Sequence, residues 1–375
     1  MENFKSVESA EMELAPLTIL IGPPSAGKSN ILDAIALAGY FNRIQLLDKE
    51  YDNNFSNVES LNYVARFSDV SQLFRNHNLL KKIGISISGN VKLDVRLYFE
   101  GGNLKLIIND TPIPWDPRQP VTDVTMSSVR SSLKAANVNM EARLYGFDRY
   151  GLSLTYCSLP APCGLQLRLR DPGLNRPLPK NVLNEMAWNI VYIIKNYVNV
   201  ISELNRVLKE YLELPVELKL MRSGSICVFD SDVEIEASLL SDSILRILYS
   251  ILATLSVRDY VKLYGLEGKF ILALEEPEAH LYPFLMDVLG KHVTEVLNEI
   301  YVVISTHNPL LLSSFWDKVS NIKTYYVYRD KLGSTKVAEI DVSALAKNLV
   351  TTDELLLTPP SKVVKDYTVR RSQEG

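Results

Sequence analysis

Cysteine is scarce: the 375-residue chain has three, Cys157, Cys163 and Cys227. Three thiols without paired spacing make neither a disulfide framework nor a zinc site. Cys157 and Cys163 bracket the segment SLPAP and read as two thiols, with a bridge in an oxidising cell as the alternative. Cys227 alternates with Ile226 and Val228 in a strand-like run and reads as core. Long apolar runs are missing as well, and nothing approaches the roughly eighteen residues that a membrane span needs. The opening MENFKSVESAEMEL carries acids where a signal peptide would carry an apolar core. A cytoplasmic protein without a membrane partner is therefore expected. Charge of one sign is not in excess: the net charge of -4 excludes a surface that binds nucleic acid all over, and leaves room for a local basic groove. What the chain does have is apolar content, 47%, enough for one large domain or two ordinary ones with a sizeable core.

The nine residues GPPSAGKSN, Gly22, Pro23, Pro24, Ser25, Ala26, Gly27, Lys28, Ser29 and Asn30, fit the phosphate-loop pattern of Gly, four residues, Gly, Lys, Ser. In such a loop successive N–H groups cradle a β-phosphate, the lysine neutralises β/γ oxygens and the serine ligates Mg²⁺. The flanks suit it. LTILI at 17–21 is a short apolar run of buried-strand type, and Ile31, Ala34, Ile35 and Ala38 repeat at helical spacing. Strand, loop and helix in this order set a helix N-terminus against the phosphates, where its dipole favours anions.

Strand-like stretches near 4–7 and 11–14 precede the loop. Alternation from Ile83 to Ile108, punctuated by Gly89-Asn90 and Gly101-Gly102, predicts antiparallel hairpins. Nine of the eighteen prolines fall within 112–179, which predicts an irregular insertion. From 182 to 212 apolar residues recur every three or four positions, predicting one long amphipathic helix, a core-facing helix in preference to a short coiled coil. A hairpin at 216–220 and 225–229 and a helix at 240–257 follow. Beyond 300, the pattern predicts a strand at 323–328, a helix at 342–349 and a loosely ordered polar tail from 358.

Two further strand ends carry chemistry. KFILALEE at 269–276 is an apolar strand closing on two carboxylates, suited to holding Mg²⁺ through Glu275 and orienting an attacking water with Glu276. IYVVIS at 300–305 runs into Thr306, His307, Asn308 and Pro309, so His307 falls on the edge of a parallel sheet where ligands bind, within reach of a γ-phosphate or the water. Each feature alone has a plain reading as a surface acid pair or a packing histidine. Their roles complement one another.

Together GPPSAGKSN, EEPEAHLYP and STHNP resemble the head ATPases of the ATP-binding-cassette (ABC) superclass, in the soluble AAA-15/AAA-21 branch that also holds SMC-like, RecF-like and OLD-type heads. The opening FKSVESAEMELAPLTILIG resembles that branch too, and the likeness covers about 1–109 and 182–349. It implies an α/β P-loop NTPase fold of the ABC-ATPase head type, with a mixed or parallel central sheet, an antiparallel β-layer and a helical second lobe. The division expected is a nucleotide lobe at 1–111 plus 258–350, a second lobe at 112–257 and a flexible tail at 358–375. It implies ATP and Mg²⁺ as ligands, with Lys28, Glu276 and His307 catalytic. It also implies a homodimer with composite sites, in which Ser241 of LLSDSILRIL reaches the partner's nucleotide. The branch has Gly where this chain has Ser243, a change that bears on close backbone approach. Gln72 is a candidate for the glutamine linking the metal to the second lobe, and Arg66 and Arg75 are candidate phosphate contacts. The cluster Arg168, Arg170, Arg176 and Lys180 reads as a solvated loop, with a DNA surface as the alternative. DNA, or a separate effector such as a nuclease, is a candidate partner. The heptads of a long hinged coiled coil are missing, which disfavours loop extrusion.

Overall fold

A computed structural model describes residues 1–43, 61, 64–89, 92–115, 127–129, 131–132, 141–146, 182–183, 190–221, 226–235 and 241–369. The Cys157 and Cys163 thiols and the basic cluster at 168–180 lie outside them. Three runs of the sequence are apolar on both sides, and both sides are covered. In Leu17–Ile21, residues Leu17, Ile19 and Ile21 enter one core cluster while Leu20 enters a second; in Phe270–Glu275, Phe270, Leu272 and Leu274 oppose Ile271 and Ala273; in Tyr301–Ser305, Val302 and Ile304 oppose Val303. A strand with period-two side chains reads as a continuous apolar run only when helices pack on both of its faces. Truncating one of the leucines or isoleucines to alanine would cost about 2–5 kcal/mol.

In chain order the strands are β1 (Glu2–Phe4), β2 (Val7–Ser9), β3 (Leu17–Ile21), β4 (Ile83–Ile87), β5 (Leu93–Glu100), β6 (Asn103–Ile108), β7 (Thr111–Ile113), β8 (Glu141–Tyr145), β9 (Val216–Leu220), β10 (Ile226–Asp230), β11 (Val233–Ile235), β12 (Phe270–Glu275), β13 (Tyr301–Ser305), β14 (Ile322–Arg329) and β15 (Thr335–Glu339). Twelve of them form one sheet in the order β7-β6-β5-β4-β1-β2-β15-β14-β3-β13-β12-β8. From β14 to β8 every pairing is parallel. From β2 to β7 every pairing is antiparallel, so the expected β-layer is a continuation of the central sheet. β9, β10 and β11 make a separate three-stranded sheet, which buries Cys227.

Helix α1 (Lys28–Arg43) covers one face of the parallel strands. Its Gly39 lies so close to β8 that a Cβ there would stand 2.3 Å from the carbonyl oxygen of Ala142. The other face takes α2 (Ile190–Ile194), α3 (Val198–Arg206), α4 (Asp242–Tyr264), α5 (Pro283–Val296) and α6 (Pro309–Lys318). Helices α7 (Val342–Lys347), α8 (Thr352–Leu357) and α9 (Pro360–Asp366) follow β15. Among the described residues no helix is long and apolar enough to cross a membrane.

Several expectations need correction. Residues 11–14 form no strand; Glu13 is held instead by its backbone, which exchanges hydrogen bonds with the Tyr325 hydroxyl at 3.0 and 2.9 Å. The single helix expected over 182–212 is broken between α2 and α3 at Tyr197 (φ -130°, ψ 46°), whose hydroxyl donates to Asp259 on α4 at 2.8 Å, and α3 ends in a π turn, Val207–Tyr211. The anchored tyrosine turns the chain while Val200, Ile201, Leu204 and Leu208 stay in the core. The tail from 358 is ordered through 369: α9 buries Val363, and Ile340 bridges Thr368. β8, within the range expected for the second lobe, belongs to the central sheet.

Gly39→Ala should lower stability by about 1–3 kcal/mol through overpacking against β8, read as a shift of the denaturant midpoint at unchanged slope. An unchanged midpoint would mean that α1 and β8 have slack between them.

Candidate functional site

β13 lies between β3 and β12, and the register fixes which residues meet at their C-terminal ends. Ser305 pairs with Leu20 on one side and with Glu275 on the other. The chain therefore leaves the sheet at one level in three places: into the loop at Gly22, into Glu276, and into Thr306 and His307. Open α/β sheets bind ligands at this edge.

The loop is strapped from outside. Gly22 (φ +138°) leaves no room for a side chain, since a Cβ would sit 2.0 Å from the Val327 carbonyl oxygen of β14; Gly27 (φ +107°) would collide with Thr335 Oγ1 at 2.2 Å. Thr335 donates to the Ala26 carbonyl at 2.9 Å and contacts Ser6 Oγ at 2.7 Å, to which Asn30 Nδ2 donates at 2.5 Å. Arg329 Nε donates to the carbonyl of Ser25 at 3.0 Å, holding the loop's crown, where Ser25 is left-handed (φ +59°). Lys28 is buried, and its Nζ donates to the carbonyls of Gly22 (2.9 Å) and Pro23 (3.1 Å). Burial pulls its pKa down to about 8, against the carboxylates of Glu276, Glu275 and Glu278, which favour the charged form.

At the end of β12 the two acids part. Glu275, the last strand residue, lies 3.4 Å from Arg66 Nη2, which is also 3.7 Å from the wholly buried carboxylate of Asp33 on α1; Lys5 Nζ reaches Asp33 at 2.5 Å. Glu276 adopts a left-handed conformation (φ +44°) with its N–H on the Ser305 carbonyl at 3.0 Å, and its Oε1 lies 3.2 Å from His307 Nε2. The left-handed turn answers the alternation problem, because adjacent strand residues would face opposite sides. Two residues on, Glu278 is buried; its Oε1 accepts from the Thr306 hydroxyl and from the His307 N–H at 3.2 Å. Burial pushes the Glu278 carboxyl up, against those hydrogen bonds.

Lys28, Glu275, Glu276 and His307 thus share one edge. Ser241 caps α4 from an exposed position without a side-chain capping bond, and Ser243 Oγ donates to the carbonyl of His280 in the turn after β12. Gln72 is spent in a capping box with Asp69, its Oε1 taking the Ser68 N–H at 2.9 Å. Asp33, Glu278, Lys5, Arg329 and Thr335 were not singled out from sequence. A charge in the apolar α1 pattern, ILDAI, was the available signal for Asp33, and the third acid of EEPE for Glu278. For a magnesium ion the donors are suitable: hard oxygens from Ser29 and Glu275, with no cluster of three acid, histidine or cysteine ligands among the described residues. Magnesium on a nucleotide needs one or two protein oxygens, the phosphates supplying more.

A family model described as "AAA domain, putative AbiEii toxin, Type IV TA system" (AAA_21) matches residues 165–313, a stretch that holds Ser241, both acids and His307 and begins after the phosphate loop. No curated protein matches the chain. Among solved structures, "Crystal structure of the SmcHead bound to the C-winged helix domain of ScpA" aligns at 14% identity over 91% of this chain and 97% of that one, TM-score 0.48. The SMC head domain from Thermotoga maritima aligns at 14% over 91% and 97%, TM-score 0.42. The Smc head domain with an extended coiled coil bound to the C-terminal domain of ScpA, from Pyrococcus furiosus, aligns at 13% over 93% and 96%, TM-score 0.48. The family model matches less than half of the chain, as an AAA-domain stretch, and the sheet gives the fold class: α/β, with one mixed twelve-stranded sheet.

The Lys28 environment has a pH signature. With its pKa near 8 in the folded state and 10.5 unfolded, the unfolded chain binds more protons between those values, so stability rises with pH through that window. Lys28→Met removes the titration. Its stability advantage at pH 7 over wild type should shrink from pH 8 to 10.5 in chemical denaturation; a constant difference would contradict the buried-ammonium account.

Proposed function

We propose that the chain binds ATP with Mg²⁺ and hydrolyses it, in the cytoplasm, as half of a head-to-head homodimer. The observation that carries this is the shared register of β3, β13 and β12, which sets a phosphate loop, two carboxylates and a histidine on one sheet edge. The loop N–H groups and the start of α1 cradle the phosphates. Lys28 exchanges the carbonyls of Gly22 and Pro23 for β- and γ-phosphate oxygens. Ser29 and Glu275 would hold Mg²⁺, which would neutralise charge on the phosphates. Glu276 orients the attacking water in line and takes its proton, while His307, 3.2 Å from that carboxylate, steadies it and faces the γ-phosphate.

In the dimer, Ser241 at the exposed start of α4 is offered to the nucleotide of the second copy. A homodimer that closes on ATP and parts on hydrolysis would transmit force or access to DNA, or to a separate effector protein. Ser243 supports a second reading. Its hydrogen bond to the His280 carbonyl binds the start of α4 to its own chain, which suits a nucleotide-gated scaffold with little turnover.

Steady-state phosphate release and light scattering with and without Mg–ATP test both. Glu276→Gln should lower turnover by about 10²-fold or more while trapping an ATP-bound dimer, and Lys28→Ala should abolish nucleotide binding. Wild-type turnover in Glu276→Gln removes Glu276 from its role. Dimerisation without phosphate release in the wild type favours the scaffold.

A further inference from the structure

Glu278 has no part in the scheme above, yet it is 6% exposed and is bonded to the strand end that carries His307. Its Oε1 accepts the Thr306 hydroxyl and the His307 N–H (3.2 Å), and the same Thr306 hydroxyl accepts the Asn308 N–H at 2.9 Å. Thr306 is itself fastened to the strand that bears the phosphate loop, its N–H on the Leu20 carbonyl at 3.1 Å. Glu278 Oε2 is buried without a hydrogen-bond partner among the described residues. A stabilising element of a turn would normally place both oxygens on donors or one in water. Here one oxygen gathers two donors from a neighbouring strand end and the other is left in the interior.

We infer that Glu278 is a positioning residue for ATP hydrolysis: it ties the turn that carries Glu276 to the strand end that carries His307 and so sets their 3.2 Å contact. This rests on the proposed hydrolysis at the same edge. Glu276 reaches that turn in a left-handed conformation with its N–H on the Ser305 carbonyl of β13, and the side-chain clamp two residues later fixes how the turn lies over the β13 terminus. What the clamp requires is an acceptor of the right shape, not a negative charge. Gln at 278 offers the same acceptor oxygen with an uncharged group in place of Oε2; Ala offers neither.

The test uses the full chain with Mg–ATP. In Glu278→Ala, kcat should fall by about 10²-fold, the scale of a misplaced catalytic group, with KM within about 3-fold of wild type because the loop is untouched. Glu278→Gln should recover most of that loss. Thr306→Val should act in the same direction as Glu278→Ala, and Thr306→Ser should recover. A second readout needs no turnover: the His307 ring-nitrogen resonance, assigned among four histidines with His307→Gln, should move in Glu278→Ala and stay in Glu278→Gln. Wild-type kcat in Glu278→Ala overturns the inference, as does a Glu278→Gln enzyme as impaired as Glu278→Ala. Absence of hydrolysis by the wild type overturns the proposed function instead; the resonance then decides alone, and an unmoved signal in Glu278→Ala overturns the role of Glu278.

Discussion

The parallel register of β13 between β3 and β12 is the constraint on which the proposed catalytic edge depends. Because Ser305 pairs with Leu20 and Glu275 together, a slip of one residue in either pairing would turn its whole apolar set to the opposite face. Both faces are filled, by α1 on one side and by α4, α5 and α6 on the other, so such a slip would bury the wrong set against each. Core packing far from the nucleotide edge thereby fixes the level at which Lys28, Glu276 and His307 leave the sheet.

Charge at this edge is arranged in two tiers. One tier is built on the buried Asp33, held by Lys5 and by the half-exposed Arg66, and Arg66 continues to Glu275. The half-exposed tier holds Glu276 against His307. Buried ions survive only when paired, and removing one partner is far more damaging than the pair is stabilising. Arg66 thus connects the helix that follows the phosphate loop with the acid assigned to the metal. That acid is held by a guanidinium in this arrangement, and a divalent cation arriving with the nucleotide would compete for the same oxygens.

What the sequence showed follows the strength of local patterning. The loop, β3, β12, β13 and the hairpins from Ile83 to Ile108 were legible because apolar periodicity and turn residues act within a few positions. The break at Tyr197 was not, since it is enforced by Asp259, over sixty positions away, and tertiary contact overrides helical periodicity. Helix α9 was hidden for a similar reason: a polar, basic stretch gives little sign that Val363 alone will be buried. The acids and His307 could be named and roles assigned to them, but the backbone geometry that parts the two acids could not be read. The left-handed turn at Glu276 that separates it from Glu275 has no signature in EEPE.

The straps over the phosphate loop carry a consequence for the order in which the molecule assembles. The loop is encoded within the first thirty residues, but its shape is completed by Val327, Arg329 and Thr335, some three hundred positions later. Contacts so distant in sequence form late, after the entropy of closing a very long loop has been overcome. On a ribosome, which delivers the N-terminal end first, the cradle stays unfinished until β14 and β15 emerge. An early strand and helix without their cradle have no tight hold on nucleotide, so binding competence and completion of the sheet arrive together.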